Sequence, residues 1–350
     1  MSPDGLAIRD AALPAAYSAR LDALSVAPLW TVLHSLLPPE RTSRVRPHHW
    51  RWRELREPLL EAARLVPIEQ AERRVLMLCN PGLPGNASAT ATLYAGFQII
   101  LPGEVAPSHH HTAAALRLIV EGEGAYTTVD GVKCVMERGD LIITPPMRWH
   151  DHGHEGTEPV IWLDGLDIPL VRSVEANWAS PMKPASAPIS DVDSSQDELT
   201  AAGLVPRRSR YEDTGYPQVR WPWKAVRAAL AALAATAPRR SPVALRHVNP
   251  RTGEPALRTM GSEARWLRPG EDARPERRTG SEVIYVIEGR GESRIGERTI
   301  AWEEGDVLAV PPWHWVEHRN RGVGGPACLF HLTDEPALRA LGLWHEELGP

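Results

Sequence analysis

The stretch that decides the fold runs from Pro102 to His154. It reads Pro102-Gly-Glu-Val-Ala-Pro-Ser-His109-His110-His111-Thr112, a mostly apolar run from Leu116 to Val120, and Glu121-Gly122-Glu123-Gly124. Asp130-Gly131 follows, then Gly139-Asp140-Leu-Ile-Ile-Thr-Pro145-Pro146 and Trp149-His150-Asp151-His152. Each break is a turn signal: Asp130-Gly131 fits a two-residue hairpin, and Gly and Pro pairs bound short β-rich runs such as Leu141–Thr144. In a strand, residues i and i+2 share a face, so His109 and His111 project together. His150 arrives two turns later, placed to close a three-imidazole site. Neutral imidazoles on neighbouring strands suit iron, zinc, copper or nickel, and the spacing alone does not choose among them.

A bare His-x-His is better read as a solvated loop tip or as satisfied core histidines. Here the pair sits in a two-part pattern. Gly103, five residues, His109-x-His111 and Gly122 form the first part; Gly139, five residues, Pro145 and His150 form the second. This resembles the cupin motif, with Ala115 where a Glu usually stands. The combination is far more specific than its pieces, and it favours metal binding.

At 350 residues the chain is long enough for two domains with full cores. A hydrophobic fraction of 43% with 24% charged residues is that of a globular protein, and a net charge of −5 advertises neither nucleic acid nor an anionic membrane. Cys79, Cys134 and Cys328 are odd in number and widely spaced. That argues against a disulfide framework or a Cys-based zinc site and fits a reducing compartment. Met1-Ser-Pro-Asp-Gly lacks the features of a signal peptide, and no apolar run approaches a membrane span, so a soluble, cytoplasmic protein is expected.

Residues 1–70 read as a helical segment, with apolar residues at helical spacing over Asp10 to Leu24 and Leu55 to Leu65. Between them His48-His49-Trp50-Arg51-Trp52-Arg53 is read as a domain or subunit contact rather than a nucleic-acid patch. Residues 71–179 form the expected first barrel, with strands over Arg73 onward, Ala91 to Leu101 and Val160 to Leu163. Residues 180–240 are expected as linker and packing helix, with Ser180 to Gln196 rich in Pro, Ala, Ser and Asp and Trp223 to Ala237 an Ala-rich amphipathic helix. A second barrel over 241–335 and a C-terminal helix over 336–350 complete the chain.

The second half repeats the first. Pro269-Gly270-Glu271 matches Pro102-Gly103-Glu104, Gly289 matches Gly122, and Gly305-Asp306 through Pro312 repeats Gly139-Asp140 through Pro146. At the ligand positions the repeat disagrees: His109 and His111 face Glu276 and Arg278, His150 faces Val316, and Glu282 takes the position of Ala115. These residues do not rebuild a three-His site, although His314 and His318 lie nearby. The second barrel is therefore read as structural, with one metal per chain.

Further motifs narrow the family. The run Pro102-Gly-Glu-x-Ala-Pro-x-His109-x-His111-Thr, Ala115-Leu116-Arg117, Trp149-His150-Asp151-His152 and Ile161-Trp-Leu-Asp164-Gly-Leu-Asp-Ile-Pro169 resembles the gentisate 1,2-dioxygenase family, which includes salicylate and 1-hydroxy-2-naphthoate dioxygenases. Arg73-Arg74-Val-Leu with Asn80-Pro81-Gly82 adds to it, and the resemblance covers most of 45–175 and 240–335. It implies an all-β-dominated bicupin, two tandem jelly-roll barrels with N-terminal and inter-barrel helices, forming a homo-oligomer, with a tetramer favoured. It also implies one Fe(II) held by His109, His111 and His150, and dioxygen-dependent cleavage of a small aromatic hydroxy acid between its carboxyl- and hydroxyl-bearing carbons. Three protein ligands leave positions open for substrate and dioxygen.

The remaining roles follow position by position. Arg117 shares the inward parity, and a buried Arg in an apolar strand needs an anion: the substrate carboxylate, or else a structural acid. Arg73 resembles a second carboxylate clamp, although Arg74 could be the inward one. His152 shares the parity of His150 and is placed to act as a proton relay. With Arg117 and Asp164 it makes up the expected catalytic set. Asp164, Gln98 and Tyr94 match family positions near the substrate ring. Tyr94 stands where a Trp is frequent, which widens the pocket and makes substituted salicylates plausible beside gentisate. His110 should point away, and it and His154 are left as surface or supporting residues. Two other classes stand beside this reading: a zinc or manganese cupin isomerase or hydrolase, disfavoured by Ala115 and Arg117, and a non-catalytic metal-binding cupin.

Overall fold

The computed structural model describes residues 13–181, 188–193, 215–239 and 243–350. The chain divides into two compact units, Met1–Ser43 and Arg44–Pro350. The first contains the helices Ala15–Ala23 and Leu29–Leu36, each beginning directly after a proline and neither burying a side chain. The helical reading from Asp10 thus begins at Ala15, residues 1–12 lying outside the described residues.

In the second unit, alternation of apolar and polar positions builds two β-sandwich barrels of the same plan. In the first, one sheet holds Leu141–Thr144, Ala115–Glu121, Val160–Leu166, Tyr94–Ile100 and Arg74–Met77 in that order. Its partner holds Val105–His111, His150–His154, Ala125–Val129 and Val132–Val135. The Asp130-Gly131 hairpin forms as expected: Val129 pairs with Val132, and both turn residues take positive φ (47° and 87°), the geometry that matches strand twist. The second barrel repeats this with Val307–Val310, Glu282–Glu288, Ala327–Thr333 and Gly261–Leu267 facing Arg298–Glu303, Arg290–Ile295, Val316–Asn320 and Glu276–Arg278. The architecture is a bicupin.

The sheets that hold Ala115–Glu121 and Glu282–Glu288 stand back to back. Phe97, Ile99, Leu116, Leu118, Ile161 and Leu163 belong to one continuous core with Val283, Tyr285, Phe330 and Leu332. A Cβ added to Gly165 would lie 2.5 Å from Leu332 Cδ2, so the backbones approach as closely as a glycine allows. Burying each large side chain in this layer contributes roughly 1.5–3 kcal/mol. The second barrel therefore backs the sheet that carries Arg117 and Asp164.

The repeats also exchange their leading segments. His48–Trp50 pairs with Val307–Ala309 on the edge of the second barrel, and Arg220–Trp221 pairs with Leu141–Ile142 on the edge of the first. The helix after each, Trp52–Leu65 and Trp223–Thr236, starts with its first amide donating to an aspartate of the other repeat. Trp52 N reaches Asp306 at 2.9 Å and Trp223 N reaches Asp140 at 2.8 Å. The cationic-aromatic run at His48 is thus a domain contact, as its composition suggested.

In two places the structure differs from the expected organisation. The supposed linker after Ser180 carries two short strands of the first barrel: Ala179–Pro181 pairs with His109–His111, and Asp191–Val192 pairs with Val132–Lys133. Edge-strand backbone bonding needs no apolar pattern, so composition did not reveal it. The rest of the supposed linker, 182–187 and 194–214, lies outside the described residues. The C-terminal stretch is helical over Glu335–Ala340 only, and Glu346–Leu348 returns as a strand against Glu276–Arg278. Gly342, at φ 70°, follows the helix in the left-handed conformation that ends helices. Among the described residues no helix is long and apolar enough to cross a membrane.

Candidate active site

The metal-ligand geometry begins with a bulge. Ala106 pairs with His152 and His109 with His150, so the strand Val105–His111 carries one residue more than its partner between those pairs. Pro107, which has no N–H to give the ladder, sits in the bulge. Such a bulge bends the strand and re-aims its side chains, here His109 and His111. Their ring centroids are 5.1 Å apart, and those of His109 and His150 are 4.2 Å apart. One nitrogen from each of the three lies within 4.8 Å of the others.

Backbone carbonyls hold two of the three rings. His111 Nδ1 donates to the Ala113 carbonyl at 2.7 Å and His150 Nδ1 to the Arg148 carbonyl at 2.9 Å. These bonds set the tautomer and leave Nε2 as a free lone pair, the arrangement metal-binding histidines use. His150 Nε2 is buried with no protein partner. Burial, and then Arg73, holds the His109 imidazolium down at about 2. Burial holds His111 at about 4 and, with Arg117 next, keeps His150 well below its ordinary value. All three are therefore neutral near pH 7, as ligands must be. Orphaned buried nitrogen, fixed tautomers and neutral imidazoles together fit a metal ion.

The opposite sheet supplies the polar wall. Arg117 and Asp164 are directly paired in register, with Nε 3.4 Å from Oδ1, and Arg117 Nη1 donates to Thr144 Oγ1 at 2.5 Å. The structural acid weighed for Arg117 is therefore present, yet Arg117 Nε has no hydrogen bond. Burial pushes the Asp164 carboxyl up to about 6 against the opposing pull of Arg117 and a 3.0 Å bond from Trp162 Nε1. Arg73 is the inward member of its pair. Its Nη2 donates to the Pro107 carbonyl at 2.9 Å and sits against His109 Nδ1. Burial, then Arg117, pulls its guanidinium down to about 10, still cationic at neutral pH. Arg74 instead is buried against Glu104 and the Ala63 carbonyl.

His152 is fully buried, shares a 2.9 Å hydrogen bond with Thr127 Oγ1 through Nδ1, and leaves Nε2 unpartnered 6.0 Å (ring to ring) from His150. Gln98 is buried opposite Trp162 with its amide nitrogen unpartnered. Tyr94 lines the same sheet, its phenol pushed up by burial and then by Asp164. His110 faces away and stacks on Trp149 at 3.9 Å, while His154 Nε2 bonds the Glu158 carbonyl at 2.5 Å; neither enters the pocket. Sequence reasoning assigned no role to Trp162, Thr144 and Thr127. For Trp162 the signal was present, since it lies two residues before Asp164 on the same face.

The equivalent place in the second barrel is filled by its own charges. Glu276 pairs with Arg265 and with Arg278 at 2.8 Å, while Glu282 pairs with Arg278 at 2.9 Å and with His331 at 2.8 Å. Among the described residues, His109, His111 and His150 form the one such potential metal-holding group.

Comparison with known proteins agrees with this geometry. A cupin domain family matches residues 96–166 and 267–333. Gentisate 1,2-dioxygenase from Ralstonia sp is 44% identical over 95% of this chain and 94% of its own length. 5-Aminosalicylate 1,2-dioxygenase from Comamonas sp is 35% identical over 95% and 92%. Among solved structures, salicylate 1,2-dioxygenase from Pseudoaminobacter salicylatoxidans, determined with gentisate, superposes with a TM-score of 0.88 at 31% identity, covering 95% of this chain and 93% of that one. The chain belongs to the gentisate 1,2-dioxygenase family of bicupin oxidoreductases.

Proposed function

We propose that this chain opens the ring of a 2-hydroxybenzoate, namely gentisate, salicylate or a substituted salicylate, between its carboxyl- and hydroxyl-bearing carbons. Both atoms of dioxygen enter the product, and one Fe(II) per chain is held by His109, His111 and His150. The observation that carries the reading is a three-imidazole group walled by two arginines, Arg73 and Arg117, with the carboxylate of Asp164 beside Arg117. Two guanidiniums facing the imidazoles suit an anionic substrate. Fe(II) in the site would supply the redox path by which an electron-rich ring and dioxygen react.

The chain's own residues do the rest. Arg117 offers its guanidinium to the substrate carboxylate, with Asp164, 3.4 Å from Nε, holding it in place and Arg73 adding a second positive charge. His152, neutral and unpartnered at Nε2, holds or passes a proton at that atom. Gln98 donates from its free amide, and Tyr94 bounds the ring. The buried walls exclude water, which strengthens each of these interactions. Fe(II) is proposed over zinc or manganese because relatives named as dioxygenases span the chain. A homo-oligomer, with a tetramer favoured, and a cytoplasmic location complete the proposal. Free Cys79, Cys134 and Cys328 support a reducing compartment.

The test is anaerobic Fe(II) reconstitution followed by oxygen uptake with gentisate, salicylate, 5-substituted salicylates and 1-hydroxy-2-naphthoate. Uptake with one of them, abolished by His111→Ala, is the expected result. One tightly bound iron with no uptake on any would overturn the assignment and favour a non-catalytic cupin.

A further inference from the structure

We propose that Thr259, in the second barrel, is a positioning residue for the metal ligand His111, acting through Asp167 and a single peptide group. The inference rests on the metal-centre reading above. Thr259 Oγ1 donates to Asp167 Oδ2 at 2.5 Å. The other oxygen, Oδ1, accepts the amide N–H of Ala114 at 2.8 Å. That N–H belongs to the same peptide unit as the Ala113 carbonyl, which holds His111 Nδ1 at 2.7 Å.

A peptide group is planar and rigid, with its N–H and C=O pointing in opposite directions. Gripping the N–H therefore fixes the direction of the carbonyl, and the carbonyl fixes the tautomer and plane of the imidazole. Hydrogen bonds in such a chain polarise one another, so the Ala113 carbonyl is a stronger acceptor while Asp167 holds Ala114. Asp167 is 1% exposed and both alanines are buried, so water does not substitute for a missing partner. Loss of the Thr259 hydroxyl leaves Oδ2 without its donor and frees the carboxylate to rotate away from the Ala114 amide.

The molecule carries its own control. At positions offset by 167 residues, with Thr92 before Thr259 and Asp334 and Ser281 after Asp167 and Ala114, Thr92 Oγ1 donates to Asp334 Oδ2 at 2.6 Å, and Ser281 N donates to Asp334 Oδ1 at 3.1 Å. This second clasp joins the barrels through the equivalent positions, with Ser281 Oγ a further donor to Asp334 Oδ2 at 3.0 Å, but the strand it anchors carries Arg278 where the first carries His111. A purely structural role would leave the metal indifferent to both clasps. A positioning role makes only the first one matter to the metal.

The experiment uses the full chain loaded with Co(II), with affinity read from the visible absorption band in competition with a chelator, and with thermal unfolding in parallel. Thr259→Val is expected to weaken Co(II) binding by about 3- to 10-fold, at or below the low end of the effect of partners that contact a ligand directly. The band should shift as well. Thr259→Ala, which adds no bulk, carries the same expectation, and Thr259→Ser should restore wild-type binding. Thr92→Val should lower the unfolding temperature without changing Co(II) affinity. Wild-type affinity in both Thr259→Val and Thr259→Ala, or an equal loss in Thr92→Val, would overturn the proposal. A wild-type protein that takes up no Co(II) would overturn the metal-centre reading itself, and this inference with it.

Discussion

Replacing Arg117 with methionine should make stability depend on pH in a way the wild type does not. In the folded protein the Asp164 carboxyl sits at about 6 against an ordinary 3.8. The folded state thus binds this proton more tightly than the unfolded chain. Stability therefore falls as pH rises from 3.8 to 6 and levels off above, a loss of about 3 kcal/mol at ~1.4 kcal/mol per unit. Without the paired cation 3.4 Å away, Asp164 stays protonated in the fold and the decline continues. By the same linkage the cost reaches about 5 kcal/mol at pH 7.5 but only about 2 kcal/mol at pH 5.5, where the wild type already bears nearly as much. The expected signature in metal-free protein is an excess destabilisation of about 2 kcal/mol at pH 7.5 that nearly vanishes at pH 5.5. It would sit on a pH-independent loss from the Thr144 bond. Urea titrations at the two pH values, read by tryptophan fluorescence, measure it, and Asp164→Asn in the same background should remove it. A destabilisation of Arg117→Met equal at both pH values would refute the argument. Independently, kcat/KM for a 2-hydroxybenzoate should fall roughly 10- to 100-fold in either background, the loss of a charged hydrogen bond worth about 1.5–3 kcal/mol.

Three further outcomes are expected. Metal should raise the unfolding free energy by about 2.7 kcal/mol at 100 times its dissociation constant, and calorimetry on His111→Ala should show no such increase. Gly139→Ala should lower the urea midpoint, because Gly139 lies at φ 86° and its added Cβ would come within 2.5 Å of Trp223. Gly305→Ala, facing Trp52 at 2.6 Å, should behave alike, and a wild-type midpoint in both would show that the exchanged helices do not hold the barrels. Arg278→Met leaves Glu276 and Glu282 short of a cation and should cost about 3–5 kcal/mol in a denaturation assay, while metal content by elemental analysis stays at the wild-type level.

The sequence carried the parts of the site that obey local rules. His109 with His111, and His150 with His152, are i, i+2 pairs, and the internal repeat marked which barrel kept the imidazoles. What stayed hidden depends on partners far along the chain. Arg73 and Arg74 are neighbours at the start of a strand, and only the pairing of Arg74 with Glu104 settles which of them turns inward. The Arg117–Asp164 pair depends on cross-strand register, which a period of two does not set. The bulge after Ala106 has only Pro107 as its local mark. The exchanged leaders were legible as a contact, from the aromatic and cationic composition of His48 to Arg53, but not as strand pairing, which leaves no side-chain pattern in so short an edge segment.

Comparing the two barrels position by position explains the open pocket better than either does alone. Gln98, His109, His111, Ala115 and Asp164 stand 167 residues before Arg265, Glu276, Arg278, Glu282 and His331. In the second barrel these positions answer one another: two arginines against two glutamates, with Glu263 on Arg265 and His331 on Glu282. Such a network is stable because each buried charge has its partner inside the protein. In the first barrel the same positions hold two neutral imidazoles, a methyl group, an amide and the Asp164 carboxylate; Gln98 Nε2 is left buried and unbonded, as are Arg117 Nε, His150 Nε2 and His152 Nε2 beside it. Leaving a buried polar group unpaired costs about 1–3 kcal/mol. A fold that pairs the charges at these positions with one another in one copy, and sets neutral imidazoles and a methyl group there in the other, leaves room for the cation and the anionic ligand proposed above to act as partners.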